Sequence, residues 1–165
     1  MRVYVAIPCP EELLPVAREL QAQLGVIPGA HVLDEETLHI TVIPPWEEPN
    51  PDAAVRDLAA IDCTEFGIAF TQAGYGHDAS DPDLAWMLGD SSPELERLHM
   101  QAWRAIKSHD PPSAPFPHVT LARFEKGVAL PELVQPDVVG QVTRIALYES
   151  MPGRKYRIVG ERFLD

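Results

Sequence analysis

The chain has 165 residues, a length suited to one domain with a two-layer core spanning residues 1–165. Lys and Arg number 13 against 25 Asp and Glu, a net charge of −12, which gives no general attraction for a polyanion and argues against a protein that coats duplex DNA. No apolar run approaches the roughly 18 residues that would cross a bilayer, and Val3 to Pro8 is cut off by Glu11 and Glu12 before it can act as a signal-peptide core. The expectation is a cytoplasmic monomer without membrane contact.

Seventeen prolines, about twice average usage, are scattered as punctuation between elements. The first strand is expected at Val3 to Ile7, with Val3, Val5 and Ile7 on one face and Tyr4 and Ala6 on the other. A helix follows with Leu13, Ala17, Leu20 and Leu24 as its stripe; Pro15 is tolerated in the first turn, where amide hydrogens lack intrahelical partners. Pro28 and Gly29 break the chain, and Val32 to Ile43 reads as extended, interrupted at Asp34, Glu35 and Glu36. Pro44 to Pro51 reads as a loop and Asp52 to Ile61 as a helix.

Phe66, Ile68 and Phe70 then alternate with Gly67, Ala69 and Thr71 in a strand, and a loop carrying Gly74, Gly76 and Pro82 leads to a short strand, Leu84 to Leu88. The next helix starts at an N-cap Ser92 with Pro93 in its first position and buries Leu95, Leu98, Ala102 and Ile106. After the loop His109 to Pro115 comes a strand from Phe116 to Phe124. Between Lys126 and Gly140 the pattern supports at most a short helix near Glu132; the tail reads as two strands, Thr143 to Tyr148 and Tyr156 to Val159, joined by a turn at Pro152 and Gly153. Without a regular βαβ rhythm or a glycine-rich phosphate loop, the expected class is α+β with largely antiparallel sheets. Cys9 and Cys63 have no zinc-type spacing and read as reduced, buried small hydrophobes.

One short pattern occurs twice: Leu38-His39-Ile40-Thr41-Val42 and Pro117-His118-Val119-Thr120-Leu121. Six histidines and six threonines in random order would give about 0.2 His-x-Thr triplets. On a strand, residues two apart share a face, so each histidine lies beside its threonine while the flanking aliphatics turn away. Two opposed imidazoles suit in-line displacement at a phosphodiester, which needs a proton taken from the attacking oxygen and another given to the leaving oxygen. With ordinary pKa values near ~6.5, one can be neutral and the other charged close to neutrality. The hydroxyls of Thr41 and Thr120 can donate to the non-bridging oxygens. Such chemistry needs no metal and no cofactor.

These residues resemble the two-histidine phosphoesterase superfamily, named for its paired His-x-Thr/Ser motifs. The opening Met1-Arg2-Val3-Tyr4-Val5-Ala6-Ile7 followed by Pro10-Glu11-Glu12, and the second motif His118-Val119-Thr120-Leu121-Ala122-Arg123, are similar to the bacterial and archaeal RNA 2′,3′-cyclic phosphodiesterases, also called 2′-5′ RNA ligases. The resemblance implies two pseudo-symmetric lobes of antiparallel sheet with outer helices around a central cleft. It also implies opening of a 2′,3′-cyclic phosphate to a 2′-phosphomonoester, with reversible 2′-5′ ligation. The chain departs from the usual family pattern at Val42-Ile43-Pro44-Pro45-Trp46, closer to the less characterised branches.

Around the two motifs, Arg123 is a candidate phosphate contact, although strict alternation places it away from His118 unless a bulge or twist intervenes. Trp46 and Phe116 are candidates for stacking on a base, and Tyr4 with Tyr148 for lining the cleft. His31, His77, His99 and His109 lack metal-ligand spacing and read as surface residues, although His99 and Trp103, four apart at the border of an amphipathic helix, form a pattern of packing; Arg154, Lys155 and Arg157 read as a local positive rim. The acidic balance points to short RNA ends or small cyclic nucleotides as partners. The sequence leaves open a non-catalytic binding module for such ends, a metal-dependent hydrolase with His39 and His118 as ligands, and another small cyclic phosphate such as an ADP-ribose derivative as substrate. It does not distinguish which histidine is base and which acid.

Overall fold

In the computed structural model, which describes Met1 to Asp165, every strand pairing is antiparallel. One sheet has the order β3-β1-β8-β9, from β1 (Arg2–Pro8), β3 (His39–Glu47), β8 (Arg144–Met151) and β9 (Lys155–Phe163). The other has the order β2-β6-β5-β4-β7, from β2 (His31–Val32), β4 (Phe66–Gly76), β5 (Leu84–Gly89), β6 (His118–Arg123) and β7 (Val138–Val142). The fold class is therefore the expected α+β with two antiparallel sheets. No helix is long and apolar enough to cross a membrane.

The period-2 pattern explains which face of each sheet meets the helices. Val3, Val5 and Ile7 of β1 and Ile68, Phe70, Val119 and Leu121 of the second sheet belong to one continuous apolar core. The helices α1 (Leu14–Leu24), α2 (Pro51–Ala59) and α3 (Pro93–Lys107) cover that side, α1 against β6, α2 against β8 and β9, and α3 against β3 and β4. Leu20 and Leu24 of α1 are fully buried, each contributing about 1.5–3 kcal/mol by leaving water. Ser92 caps α3 by accepting from the Leu95 amide at 3.1 Å, and Asn50 caps α2 through the Ala53 amide at 3.2 Å.

Several elements differ from the sequence expectation. β3 runs through Pro44 and Pro45 to Glu47 instead of ending in a proline loop. It can do so because β3 is an edge strand, and because the register slips between Val3↔Trp46 and Val5↔Ile43, so that the two prolines bulge opposite Tyr4. The extended stretch from Val32 to Ile43 is two strands in different sheets, linked by a 3₁₀ turn at Glu35–Thr37. β4 continues to Gly76 because it pairs along its whole second half with β5. No helix forms near Glu132; Val138–Val142 is a strand on the edge of β4, a role set by its partner and not by its own short pattern. On α3, Ile106 is only half-buried, and the core contact falls to His99 and Trp103, whose indole N–H donates to the Val42 carbonyl at 3.2 Å. His99 is thus off the surface and buried, in the packing that its spacing from Trp103 suggests. Cys63 is buried and free, whereas Cys9 is free and only half-buried.

Candidate active site

β3 and β6 turn their polar faces toward the space between the sheets. On β3, Thr41 pairs with Ala6 and His39 with Pro8; on β6, His118 pairs with Leu88 and Thr120 with Trp86. All four motif side chains line one cavity of about 250 Å³, just below the ~300–1,000 Å³ typical of drug-sized ligand sites and so scaled to a small phosphate ester.

The two imidazoles are held in the same way. His39 Nδ1 lies 2.8 Å from the Thr37 carbonyl and His118 Nδ1 lies 2.8 Å from the Phe116 carbonyl, in each case two residues upstream. A carbonyl only accepts, so both Nδ1 atoms carry hydrogen. Each Nε2 therefore holds a free lone pair when the ring is neutral and a transferable proton when it is charged. Burial pushes both histidines below the ordinary imidazole pKa against the opposing pull of those carbonyl bonds, and the charges of His118 and Arg123 depress His39 further.

Their surroundings differ. His39 sits among three tyrosines, with ring centroids 5.1 Å from Tyr4, 6.1 Å from Tyr148 and 6.0 Å from Tyr156. Tyr4 and Tyr148 stack at 5.1 Å and 9°, and the buried Tyr4 hydroxyl has no partner in the protein. Burial raises the Tyr4 pKa well above the usual phenol range. His118 lies 5.0 Å from Phe116 and 5.2 Å from Trp86, and the charge of His77 acts on it.

Arg123 reaches the cavity because β6 is bulged. The register passes from Ala85↔Ala122 to Trp86↔Thr120, leaving Leu121 without an opposite residue, and both Leu121 and Ala122 point into the core. The extra residue resets the alternation, so Arg123 returns to the face of His118 and Thr120 and lines the cavity with them.

Tyr4 also lines this cavity. Phe116 is 54 % exposed beside His118 and Trp86, at the rim. Trp46 is not in the cleft: it pairs with the core-facing Val3, lies under the Lys107 ammonium at 4.5 Å and donates its indole N–H to Glu48 at 2.9 Å. Its partner Val3 and the partner of His39, Pro8, stand five positions apart on β1, hence on opposite faces of the sheet.

Sequence reasoning missed Arg2, His77, Ser150 and Tyr156 as lining residues. Arg2 was within reach, two positions from Tyr4 on β1. His77 was not, because the β4–β5 hairpin alone brings it to the cleft. Arginine and histidine line the cavity but no carboxylate does, in a chain with 25 Asp and Glu, so the site is a local anion trap in an acidic protein. No group of three or more His, Cys, Asp or Glu side chains is placed to hold a metal ion.

Two antiparallel sheets presenting paired His-x-Thr strands to one anion-sized cleft define a two-histidine phosphoesterase architecture. The family model of the 2′-5′ RNA ligase superfamily matches residues 9–153, and the chain belongs to that superfamily. The fold is similar to TT0787 of Thermus thermophilus, with TM-score 0.80 at 21% identity, covering 99% of this chain and 98% of that one. It is also similar to E. coli LigT complexed with 3′-AMP, with TM-score 0.71 at 22% identity over 99% and 97% of the two chains. The MHV ns2 PDE domain matches with TM-score 0.61 at 15% identity over 89% and 98%. No curated protein sequence matches the chain.

Proposed function

We propose that the protein is a metal-independent phosphoesterase that opens 2′,3′-cyclic phosphates on short RNA ends or nucleotides, with His39 and His118 as its acid–base pair. The observation that carries this reading is the matched pair of imidazoles, each with Nδ1–H tied to a carbonyl and each bordering the same carboxylate-free cavity. One neutral Nε2 takes a proton from water as its oxygen bonds to phosphorus. The other, charged, gives its Nε2 proton to the ribose oxygen as the phosphorus–oxygen bond breaks. The product is a phosphomonoester, at the 2′ position by analogy with the superfamily. Ligation is the same displacement with a ribose 5′-hydroxyl in place of water: one imidazole takes the hydroxyl proton, the 3′ oxygen leaves with the proton of the other, and a 2′-5′ linkage forms without a nucleotide cofactor, reversibly because no other bond is consumed.

Thr41 and Thr120 donate to the non-bridging oxygens, and Arg123 offsets their charge. Phe116 at the rim and the partly exposed Tyr156 offer aromatic faces to a base. LigT, similar in fold, has been crystallised with 3′-AMP, which favours a nucleotide in the corresponding cleft here.

The test is incubation with 2′,3′-cyclic nucleotides and short RNAs ending in cyclic phosphate, with and without EDTA, followed by phosphorus NMR of the product. The expected result is an EDTA-insensitive 2′-phosphate product. His39→Ala and His118→Ala should each lower kcat by about 10²-fold to 10⁴-fold. Undiminished turnover in either variant removes the acid–base pair; loss of activity with EDTA moves the histidines to metal ligation.

A further inference from the structure

The groove does not end at the histidines. A second, much smaller concavity bordered by His31, Asp34 and Arg154 shares Leu33, Arg123 and Tyr156 with the main cavity. The two are one continuous groove, with Arg123 and Tyr156 at the junction. Arg154 belongs to the short turn between β8 and β9, where its φ is 57° after a glycine at 78°.

The charges along this groove are selective. Arg18, Arg104, Arg144 and Arg157 are each held by a carboxylate within 2.5–2.6 Å, as expected where acids outnumber bases. Arg123 and Arg154 have no carboxylate within ion-pair distance, a state shared with Arg56 and Arg97, but of these four only Arg123 and Arg154 line the groove. Asp34 is the single acidic residue on this arm, so two free guanidiniums outnumber it. The β4–β5 hairpin margin has the opposite sign: it carries Asp78, Asp81 and Asp83 against the single Lys126, which pairs with Asp81. At the end of β3, Glu47 is already held by Arg2 and the N-terminal ammonium.

A ribose whose cyclic phosphate lies between His39 and His118 carries its next esterified position at C5′, one sugar ring away. We propose that the arm formed by Arg123, Tyr156 and Arg154 is a subsite for a second phosphate on that C5′ oxygen, an inference that rests on the cyclic-phosphate reading above. Guanidinium matches phosphate geometry, and repulsion from the acidic β4–β5 hairpin favours this arm as the exit for an anionic extension. The ligand chemistry is a ribose cyclic phosphate with a 5′-phosphate ester. That ester comes either from the preceding nucleotide of an RNA or from the pyrophosphate of an ADP-ribose cyclic phosphate.

The experiment compares kcat/KM for a nucleoside 2′,3′-cyclic phosphate with the same compound bearing a 5′-phosphate, in the wild type, Arg154→Ala, Arg154→Lys and Lys155→Ala. The 5′-phosphorylated compound should be preferred by about 10-fold, the scale of one partly exposed charge-assisted contact. Arg154→Ala should remove most of that preference through KM while leaving the unphosphorylated compound within about 2-fold. Arg154→Lys should restore part of it. Lys155→Ala, the next residue at the start of β9 but outside the groove, should leave it intact.

A dinucleotide ending in cyclic phosphate and ADP-ribose 1″,2″-cyclic phosphate form two further arms, and the one that shares the Arg154 dependence identifies the source. If the unphosphorylated compound is hydrolysed and no preference exists, or Arg154→Ala lowers both compounds equally, the subsite is wrong and the catalytic reading stands. If no cyclic phosphate is turned over, that reading fails, and calorimetry with a nucleoside 5′-monophosphate decides the subsite. Affinity reduced about 10-fold in Arg154→Ala supports it; unchanged affinity overturns it.

Discussion

Gln21 of α1 is hydrogen-bonded to the bulge of β6: its Nε2 donates to the Leu121 carbonyl at 3.1 Å and to the Leu33 carbonyl at 2.8 Å. The Leu33 amide donates to the same Leu121 carbonyl at 3.0 Å. The bulge that swings Arg123 into the cleft is therefore pinned from behind by a helix side chain that never meets the cavity.

Gln21 is accordingly a positioning residue for Arg123. Arg123→Ala should raise KM for a cyclic phosphate by about 10-fold to 100-fold, the worth of a charge-assisted phosphate contact. Gln21→Leu should raise KM by about 3-fold to 10-fold with kcat little changed, and should cost about 1 kcal/mol in urea unfolding for the lost hydrogen bonds. The double variant should be no worse than Arg123→Ala alone. Additive effects on KM would mean that Gln21 does not act through Arg123.

The pH profile follows from the environment of the two imidazoles. Activity rises with pH as the base loses its proton and falls as the acid loses its own. Burial holds both histidines below their ordinary value in the free protein, so kcat/KM should form a bell with its maximum on the acid side of pH ~6.5. Arg123 depresses His39, so Arg123→Ala should move one limb upward. Stability shares this sign. The unfolded chain binds these protons at higher pH than the folded one, so the contribution is complete above the unfolded value and is lost as pH falls through the depressed folded values. His39→Gln should therefore show a shallower fall in melting temperature between pH 7 and 5 than the wild type.

Thr41 and Thr120 are half-buried on their strands, with the hydroxyls bordering the cavity. Replacing either by valine keeps the shape and the strand propensity while removing the donor. Each change should lower kcat by about 10-fold to 100-fold with stability altered by less than about 1 kcal/mol, while serine should retain most activity. Steady-state kinetics with parallel melting curves check this; a valine variant at wild-type kcat would remove the hydroxyl from the reaction.

Gly76 underlies the Trp86 indole. A Cβ there would fall on Trp86 Cζ2, far inside van der Waals contact, and Trp86 is itself packed 5.2 Å from His118 and 5.5 Å from Phe116. Gly76→Ala should cost about 1–3 kcal/mol in urea unfolding through overpacking and should lower activity by displacing Trp86. Gly74→Ala, on the same strand with nothing within 4 Å, should be close to neutral. Equal stability of the two variants would contradict the packing described.

The strands and helices that were legible in the sequence share one property: their signal is periodic over the element itself. The stripe of α3 and the alternation Phe66-Ile68-Phe70 are examples, and so is the serine that caps α3. Each follows from geometry within a few residues. The strand β7 was invisible because its five residues gain their identity only by pairing with β4. Pro44 and Pro45 read as loop residues because nothing nearby reveals that β3 is an edge strand with a bulge opposite Tyr4.

The same division applies to the site. The duplicated His-x-Thr pattern, by itself, determined that two strands each carry an imidazole and a hydroxyl on one face, because a strand's period of two is a local rule. Only the tertiary structure decided what that face meets. The Leu121 bulge brings Arg123 in, the β4–β5 hairpin adds His77, and Arg2 and Tyr156 arrive from the two ends of the chain, while Trp46 is turned toward α3. Those placements depend on register and sheet order, which are set by contacts between residues far apart in sequence and leave no periodic trace along the chain.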